Sequence, residues 1–357
     1  MSLSEHRRRI DEIDGELVRL LNERTTHALE IGKLKTRDDA EIYVPMREKE
    51  VFDRVTRRNP GPLPDLSLRA IYREIMSASI SLERHLRVAY LGPAATFTHE
   101  AAQSRFGGSI DYLPCSAVSD VFLAVEKRTA DYGVVPIENS TEGSVNPTLD
   151  ELTDSPLKIY AEIFLPVSHH FMSAGPMDAI RVIYSHPQVF GQCRRWLAEH
   201  MPRAELIPTS STARAAERAA AEEGCAAIAS SLAADIHGLT ILQKDIQDQA
   251  GNMTRFLVLS RSLGQLTGSD KTSVVFKVRH QVGALYAALA PFHKADLNLT
   301  KIESRPSRLK AWEYWFFVDF EGHMDDEPVK ISLDELSRHC ETLTVLGSYP
   351  MEQAVPA

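Results

Sequence analysis

Arg87-Val88-Ala89-Tyr90-Leu91-Gly92-Pro93-Ala94-Ala95-Thr96-Phe97-Thr98-His99 is the stretch at which the chain changes its period. A short strand-like run enters a small-residue turn and then a helix. From here to residue 262, apolar or β-branched runs alternate with helical stretches, as parallel βαβ units do. The runs at 88–91, 132–137, 159–167, 181–184, 225–229 and 256–259 are the expected strands of a doubly wound α/β region. Residues 262–270, rich in Gly, Ser and Thr, read as a linker. Beyond it come strand 273–278, helix 283–295, strands 299–304 and 312–320, helix 333–339 and strand 343–349, a ferredoxin-like α+β order.

Upstream of Arg87 the period is helical. Ile10, Ile13, Leu17, Leu20, Leu21, Leu29, Ile31 and Leu34 recur at steps of three and four with no interrupting proline, predicting one helix over 3–36. Ser2 and Glu5 have capping-box spacing at its start. Pro45 suits the first turn of a second helix running to 58, and Asn59-Pro60-Gly61-Pro62-Leu63-Pro64 ends it. A third helix over 65–86 completes an all-α segment too small to enclose much core alone.

With 357 residues the chain exceeds what one core usually organises, and 43% hydrophobic with 25% charged residues is ordinary for globular domains. The polar, basic start lacks the apolar region of a secretion signal. No run approaches the roughly 18 apolar residues of a membrane span, so a soluble, cytoplasmic protein is expected. Cys115, Cys193, Cys225 and Cys340 lie far apart, without metal-ligand or disulfide-framework spacing. Neither metal nor cofactor is expected. A net charge of −9 argues against nucleic-acid and membrane partners, so an anionic substrate would have to be captured by local cations. Residues 1–85 are the neutral part, with 16 Lys+Arg against 16 Asp+Glu.

Arg7, Arg24 and Lys35 fall within the apolar stripe of the first helix. An unpaired buried cation is costly, so this face must meet carboxylates or an anionic ligand. A coiled coil with structural ion pairs would also satisfy it. Arg7 lies roughly 25 Å from Arg24 along one straight helix, too far to share a small ligand. An antiparallel second copy would bring them together and cover the stripe, giving a homodimer with two shared sites. Arg7, Arg24 and Lys35, then Arg47-Glu48, then Ser79 and Glu83 together resemble the helical chorismate mutase family over residues 1–86. The resemblance implies arginines on the two carboxylates of chorismate, with Lys35 and Glu83 at the ether oxygen. Val44 departs from relatives that carry a carboxylate contacting the substrate hydroxyl.

In the α/β region polar groups gather at strand ends: Thr96 in the opening turn, Pro136-Ile137-Glu138-Asn139-Ser140-Thr141-Glu142-Gly143-Ser144, Ser185-His186-Pro187-Gln188 with Gln192, and Thr209-Ser210-Ser211-Thr212. Ligands of open α/β sheets collect there, although each string alone reads equally as a helix cap. With Gly251-Asn252-Met253-Thr254-Arg255-Phe256 they resemble prephenate dehydratase over residues 87–263. That family implies two lobes with prephenate between them, and a threonine, here Thr254, assisting loss of the ring hydroxyl. Thr96, Asn139, Ser185, Gln192 and Arg255 are carried over as the rest of the prephenate set, Arg255 either near a carboxylate or as a structural cation. His186 stays outside the catalytic set.

Gly283-Ala284-Leu285-Tyr286 and Asn298-Leu299-Thr300-Lys301-Ile302-Glu303-Ser304-Arg305-Pro306 resemble the phenylalanine motifs of ACT domains attached to prephenate dehydratases; the resemblance spans residues 271 to about 350 and implies a regulatory domain over 271–357. The resemblance implies Gly283, Ala284, Leu285, Asn298, Leu299, Thr300, Glu303 and Ser304 as the effector set. The whole then reads as a bifunctional enzyme of phenylalanine biosynthesis, a homodimer or a higher assembly, inhibited by L-phenylalanine. Its rivals are a non-enzymatic sensor with a helical stalk, and a dehydratase whose helical domain only dimerises.

Overall fold

The computed structural model describes residues 1–37, 43–307 and 313–352. They form two compact units, Met1–Arg87 with Gln103–Asp111, and Val88–Ala102 with the chain from Tyr112 onward. The first unit therefore draws on nine residues beyond the helical segment legible in the sequence. No helix among the described residues is long and apolar enough to cross a membrane.

The first unit holds α1 (Leu3–Arg37), α2 (Pro45–Arg57) and α3 (Asp65–Glu83). The capping box forms: Ser2 N–H donates to Glu5 Oε2 and Glu5 N–H to Ser2 Oγ. Pro45 opens α2, where its missing N–H costs nothing. Helix α3 stops three residues short of the expected end because Arg84 is already extended (φ −160°, ψ 145°), leading into the strand at Arg87. Among the described residues the N-terminal part of the apolar stripe of α1 is left open: Ile10, Ile13 and Leu17 are 56%, 45% and 51% exposed.

From Arg87 the chain runs through β1 (Arg87–Leu91), α4 (Phe97–Phe106), whose residues from Gln103 belong to the first unit, β2 (Asp111–Cys115), α5 (Val118–Glu126), β3 (Tyr132–Asn139), β4 (Gly143–Ser144), α6 (Asn146–Asp154) and β5 (Lys158–Pro166), the first lobe of the second unit. A second lobe follows: β6 (His170–Ser173), β7 (Val182–Ser185), α7 (Pro187–Gln192), α8 (Arg194–His200), β8 (Glu205–Pro208), α9 (Thr212–Ala221), β9 (Cys225–Ala229), α10 (Ser231–His237) and β10 (Thr240–Gln243). The chain then returns as β11 (Met253–Ser260), which enters the first sheet between β3 and β5, giving the order β2-β1-β3-β11-β5. The second sheet is β10-β6-β9-β7-β8. Strand pairs β1/β3, β7/β8 and β7/β9 are parallel as the βαβ pattern predicts. Strand β11 runs antiparallel to both neighbours, and so do β6 and β10 to theirs, so each sheet is mixed. Strands β2, β4, β6, β8 and β10 are absent from the sequence reading; they are two to five residues long.

The C-terminal part runs β12 (Asp270–Val278), α11 (Ala284–Lys294), β13 (Leu299–Pro306), β14 (Tyr314–Glu321), α12 (Glu327–His339) and β15 (Cys340–Pro350), the expected βαββαβ order. Its antiparallel sheet is β13-β14-β12-β15. Trp312, expected to start a strand, and residues 353–357 lie outside the described residues. Val275, Phe317, Leu346 and Tyr349 of this sheet share one core with Ile137, Leu149, Leu257 and Leu259 of the first lobe.

Candidate functional sites

In the helical unit, a cavity of about 360 Å³ is lined by Arg24, Lys35, Arg47, Glu48, Ser79 and Glu83. All three helices contribute, and Ile31, Val51, Met76 and Ile80 supply apolar wall. Ser79 Oγ donates to the Ile75 carbonyl at 2.8 Å, so its lone pairs are left to accept Arg24 Nη1, also at 2.8 Å. That pair fixes the guanidinium. Burial pushes the Glu83 carboxyl above its ordinary pKa, against the pull of Lys35 and Arg24. Gly32 faces Glu83 across the α1/α3 contact, where a Cβ would come within 2.8 Å of Glu83 Cγ. Arg47 lines the cavity while paired to Glu50 at 2.7 Å on the surface. Val44 lines it as the residue before α2, an apolar group where some relatives place a carboxylate.

Arg7 is not brought to this cavity within the chain; it is exposed near the start of α1. Two residues outside the sequence reading hold Glu48 in place. Tyr43 Oη donates to Glu48 Oε2 at 2.9 Å, and Arg105 Nε donates to Tyr43 Oη and lies 3.2 Å from the same carboxylate oxygen. Arg105 comes from the last turn of α4, so only the tertiary fold makes it part of the site.

In the two-lobed unit, Thr254 on β11 and Asn139 on β3 stand directly opposite in register. Asn139 Oδ1 accepts the backbone N–H groups of Thr141 and Glu142 at 3.0 and 3.1 Å, which fixes the amide. Its Nδ2 then donates to Thr254 Oγ1 at 2.7 Å and to Asn252 Oδ1 at 2.9 Å. Because Thr254 accepts from Asn139, its own proton is left to donate elsewhere. Beside this pair lies a cavity of about 530 Å³ whose walls include Thr141, Gln192, Arg195, Gln247, Asp248 and Asn252. Gln192 Oε1 is 2.7 Å from Nε2 of His169, a buried residue whose pKa is lowered by desolvation.

Three members of the expected prephenate set are not collected here. Ser185 is fully buried and donates to the Ile228 carbonyl at 2.8 Å, tying β7 to β9. Thr96 Oγ1 donates to the Leu91 carbonyl at 3.0 Å and accepts from His99 N–H, closing the turn into α4. Arg255 takes the structural alternative: it pairs with Glu162 at 2.8 Å and Asp319 at 2.6 Å and donates to Tyr349 Oη at 3.0 Å. Lys271 shares Glu162 at 2.9 Å. Successive strand residues point to opposite faces, so Arg255 is turned away from the face of its neighbour Thr254 and joins the lobe to the C-terminal sheet.

In the C-terminal part Gly283 precedes α11 with φ +79°, Ala284 is buried, Leu285 is half-buried and Tyr286 is exposed. Asn298 Nδ2 donates to Glu321 Oε1 at 2.9 Å. Edge strand β13 alternates: Leu299 is half-buried, Thr300 and Ser304 are exposed, and Lys301, Glu303 and Arg305 engage the first lobe. Lys301 pairs with Glu138 at 2.7 Å, Glu303 accepts from Ser144 Oγ at 2.8 Å and Arg305 pairs with Asp150 at 2.6 Å. Glu138 and Ser144 face each other across the β3–β4 hairpin that carries Asn139. Glu303 thus points toward that hairpin and not to the side of Thr300 and Ser304.

These parts define a class, a multidomain enzyme with a cation-lined helical module, a two-lobed α/β module and a docked βαββαβ module. Family profiles match in that order: Chorismate mutase type II over residues 6–84, Prephenate dehydratase over 88–263 and ACT domain over 272–336. A bifunctional chorismate mutase/prephenate dehydratase of Aquifex aeolicus is 49% identical over 353 residues, covering 98% of each chain. A prephenate dehydratase from Arthrobacter aurescens, solved in complex with L-Phe, is 36% identical with TM-score 0.69, over 76% of this chain and 92% of that one. A quorum-quenching acylase structure is 30% identical with TM-score 0.69, over 74% and 98%. The chain belongs to the family of bifunctional chorismate mutase/prephenate dehydratases. Since one fold here hosts differently named activities, the residues of each cavity must carry the chemistry.

Proposed function

We propose that residues 1–86 rearrange chorismate to prephenate, residues 87–263 convert prephenate to phenylpyruvate, and residues 271–357 bind L-phenylalanine and inhibit the second step. The mutase reaction breaks a C–O bond and forms a C–C bond in one concerted step. It needs no nucleophile, only a held conformer and stabilisation of charge growing on the ether oxygen. Arg24 and Arg47 suit the carboxylates, and Lys35 with protonated Glu83 suit the oxygen. The raised pKa of Glu83 supports that second role. The uncovered stripe of α1 supports an antiparallel partner copy that brings its Arg7 to this cavity.

In the dehydratase step the ring carboxylate leaves as CO2, its electron pair completes the aromatic ring, and the ring hydroxyl departs as water once it takes a proton. Thr254 donates that hydrogen bond. The observation that carries this reading is the Asn139-to-Thr254 bond, which commits the threonine oxygen as acceptor and leaves its proton for the leaving group. The L-Phe complex of the Arthrobacter relative supports the effector. The contacts of β13 with the Asn139 hairpin support its route to the site.

The test is to incubate the purified chain with chorismate and follow prephenate and phenylpyruvate. Both should form in succession, and Thr254→Ala should stop at prephenate. Chorismate left intact would reduce the helical module to a dimeriser; prephenate consumed equally by Thr254→Ala would remove that residue from catalysis.

A further inference from the structure

Gln192 of α7 and Gln247 of the loop before β11 both line the dehydratase cavity. One buried residue takes the carbonyl oxygen of each: His169 donates its backbone N–H to Gln247 Oε1 at 3.0 Å, and its ring Nε2 lies 2.7 Å from Gln192 Oε1. The residue is 2% exposed, its ring packs edge-on against Phe97 at 5.7 Å, and Nδ1 has no hydrogen-bond partner among the described residues. A neutral imidazole carries one N–H. Placing it on Nε2 makes the Gln192 contact a hydrogen bond and leaves only a lone pair unpartnered. Placing it on Nδ1 would orphan a buried donor, which proteins rarely tolerate. With both oxygens held from behind, the two amide NH2 groups are what remains for a ligand.

The charge in the cavity makes this matter. Prephenate carries two carboxylates, yet the charged side chains that line the cavity are Arg195 and Asp248, one of each sign, with Asp248 also accepting the Arg195 backbone N–H at 3.1 Å. Arg255 is committed elsewhere. A near-neutral cavity must bind a dianion largely through N–H donors, and an amide presenting its oxygen would repel it. We propose that His169 is a positioning residue of the dehydratase: it turns Gln192 and Gln247 so that both offer N–H donors to a substrate carboxylate, which makes Gln247 a binding residue. This rests on the reading of the cavity beside Asn139 and Thr254 as the prephenate site.

In the full chain, His169→Leu should raise the prephenate KM about tenfold while changing kcat by less than about threefold, the signature of lost ground-state and transition-state binding alike. His169→Gln keeps an N–H at the position of Nε2 and should bring KM back to within about threefold. Adding Gln192→Leu to His169→Leu should cost less than the product of the two single effects, because one acts through the other. Mutase turnover serves as the folding control; if His169→Leu loses that too, His169→Gln against His169→Phe decides. A normal KM in His169→Leu, a pure kcat loss, His169→Gln as poor as His169→Leu, or multiplicative effects would each overturn the proposal. Thr254→Ala that remains an active dehydratase would instead sink the site reading beneath it.

Discussion

The two cavities are built by opposite means for what we propose are two related dianions. The helical cavity sets Arg24, Lys35 and Arg47 around a space walled by Ile31, Val51, Met76 and Ile80. Among the described residues the dehydratase cavity has one lining arginine and one lining carboxylate, Asp248, and is otherwise made of amides, hydroxyls and loop backbone. The difference follows from geometry. Helices project long side chains toward a common space where cations keep part of their hydration, whereas strand ends and tight loops bring short polar groups and backbone N–H together. Arg255 shows the alternative: carried into the interior, a guanidinium collects Glu162, Asp319 and Tyr349 and becomes structure.

The comparison breaks if either cavity responds to a change in the other. Thr254→Ala should lower dehydratase turnover about 10²–10⁴-fold and leave mutase turnover within about twofold. Arg24→Ala should lower mutase kcat/KM by about a hundredfold and spare the dehydratase. Mixed with Arg7→Ala after subunit exchange, it should regain one intact site in two, and recovery of none would refute the antiparallel partner.

Gly32→Ala sharpens the helical side. A methyl 2.8 Å from Glu83 Cγ must displace that side chain, and overpacking of about 1–3 kcal/mol predicts a mutase loss of roughly tenfold with no change in the dehydratase. Mutase activity should also depend on pH through Glu83. In the proposed mechanism the protonated acid is the donor, and its raised pKa extends that form upward in pH, so activity should fall as pH rises through the titration. Glu83→Gln, a permanent neutral donor, should flatten the profile; an unchanged profile would make Glu83 a counter-charge to the arginines. The smallest effect is expected from Lys301→Ala, which removes the ion pair to Glu138. It should shift the phenylalanine concentration for half-inhibition by a few-fold while calorimetric phenylalanine binding changes less, since the coupling and not the effector site is cut.

Legibility in the sequence tracked the type of element. Arg24, Lys35, Ser79 and Glu83 could be assigned to one face because a helix has a fixed period and an apolar stripe that names its inner side. Strand alternation separated Thr254 from Arg255 but could not say which of them meets Asn139, because both faces of β11 are covered: Met253 to Ser260 show no exposed position. For Ser185 and Thr96 the sequence left the role open for a related reason, since a hydroxyl at a strand end serves a backbone carbonyl as readily as a ligand.

By itself the sequence determined the order of the modules, the helical face that gathers cations, the βαββαβ unit and the Asn139 and Thr254 strings, all of them local patterns. Only the tertiary structure decided that β11 returns antiparallel between β3 and β5, that Arg105 reaches Glu48, that His169 stands behind Gln192 and Gln247, and that Lys301 and Glu303 grip the hairpin of Asn139. The reason is physical. These contacts join residues separated by 23 to 163 positions, and their energy comes from pairing groups that burial has stripped of water, which no local period records.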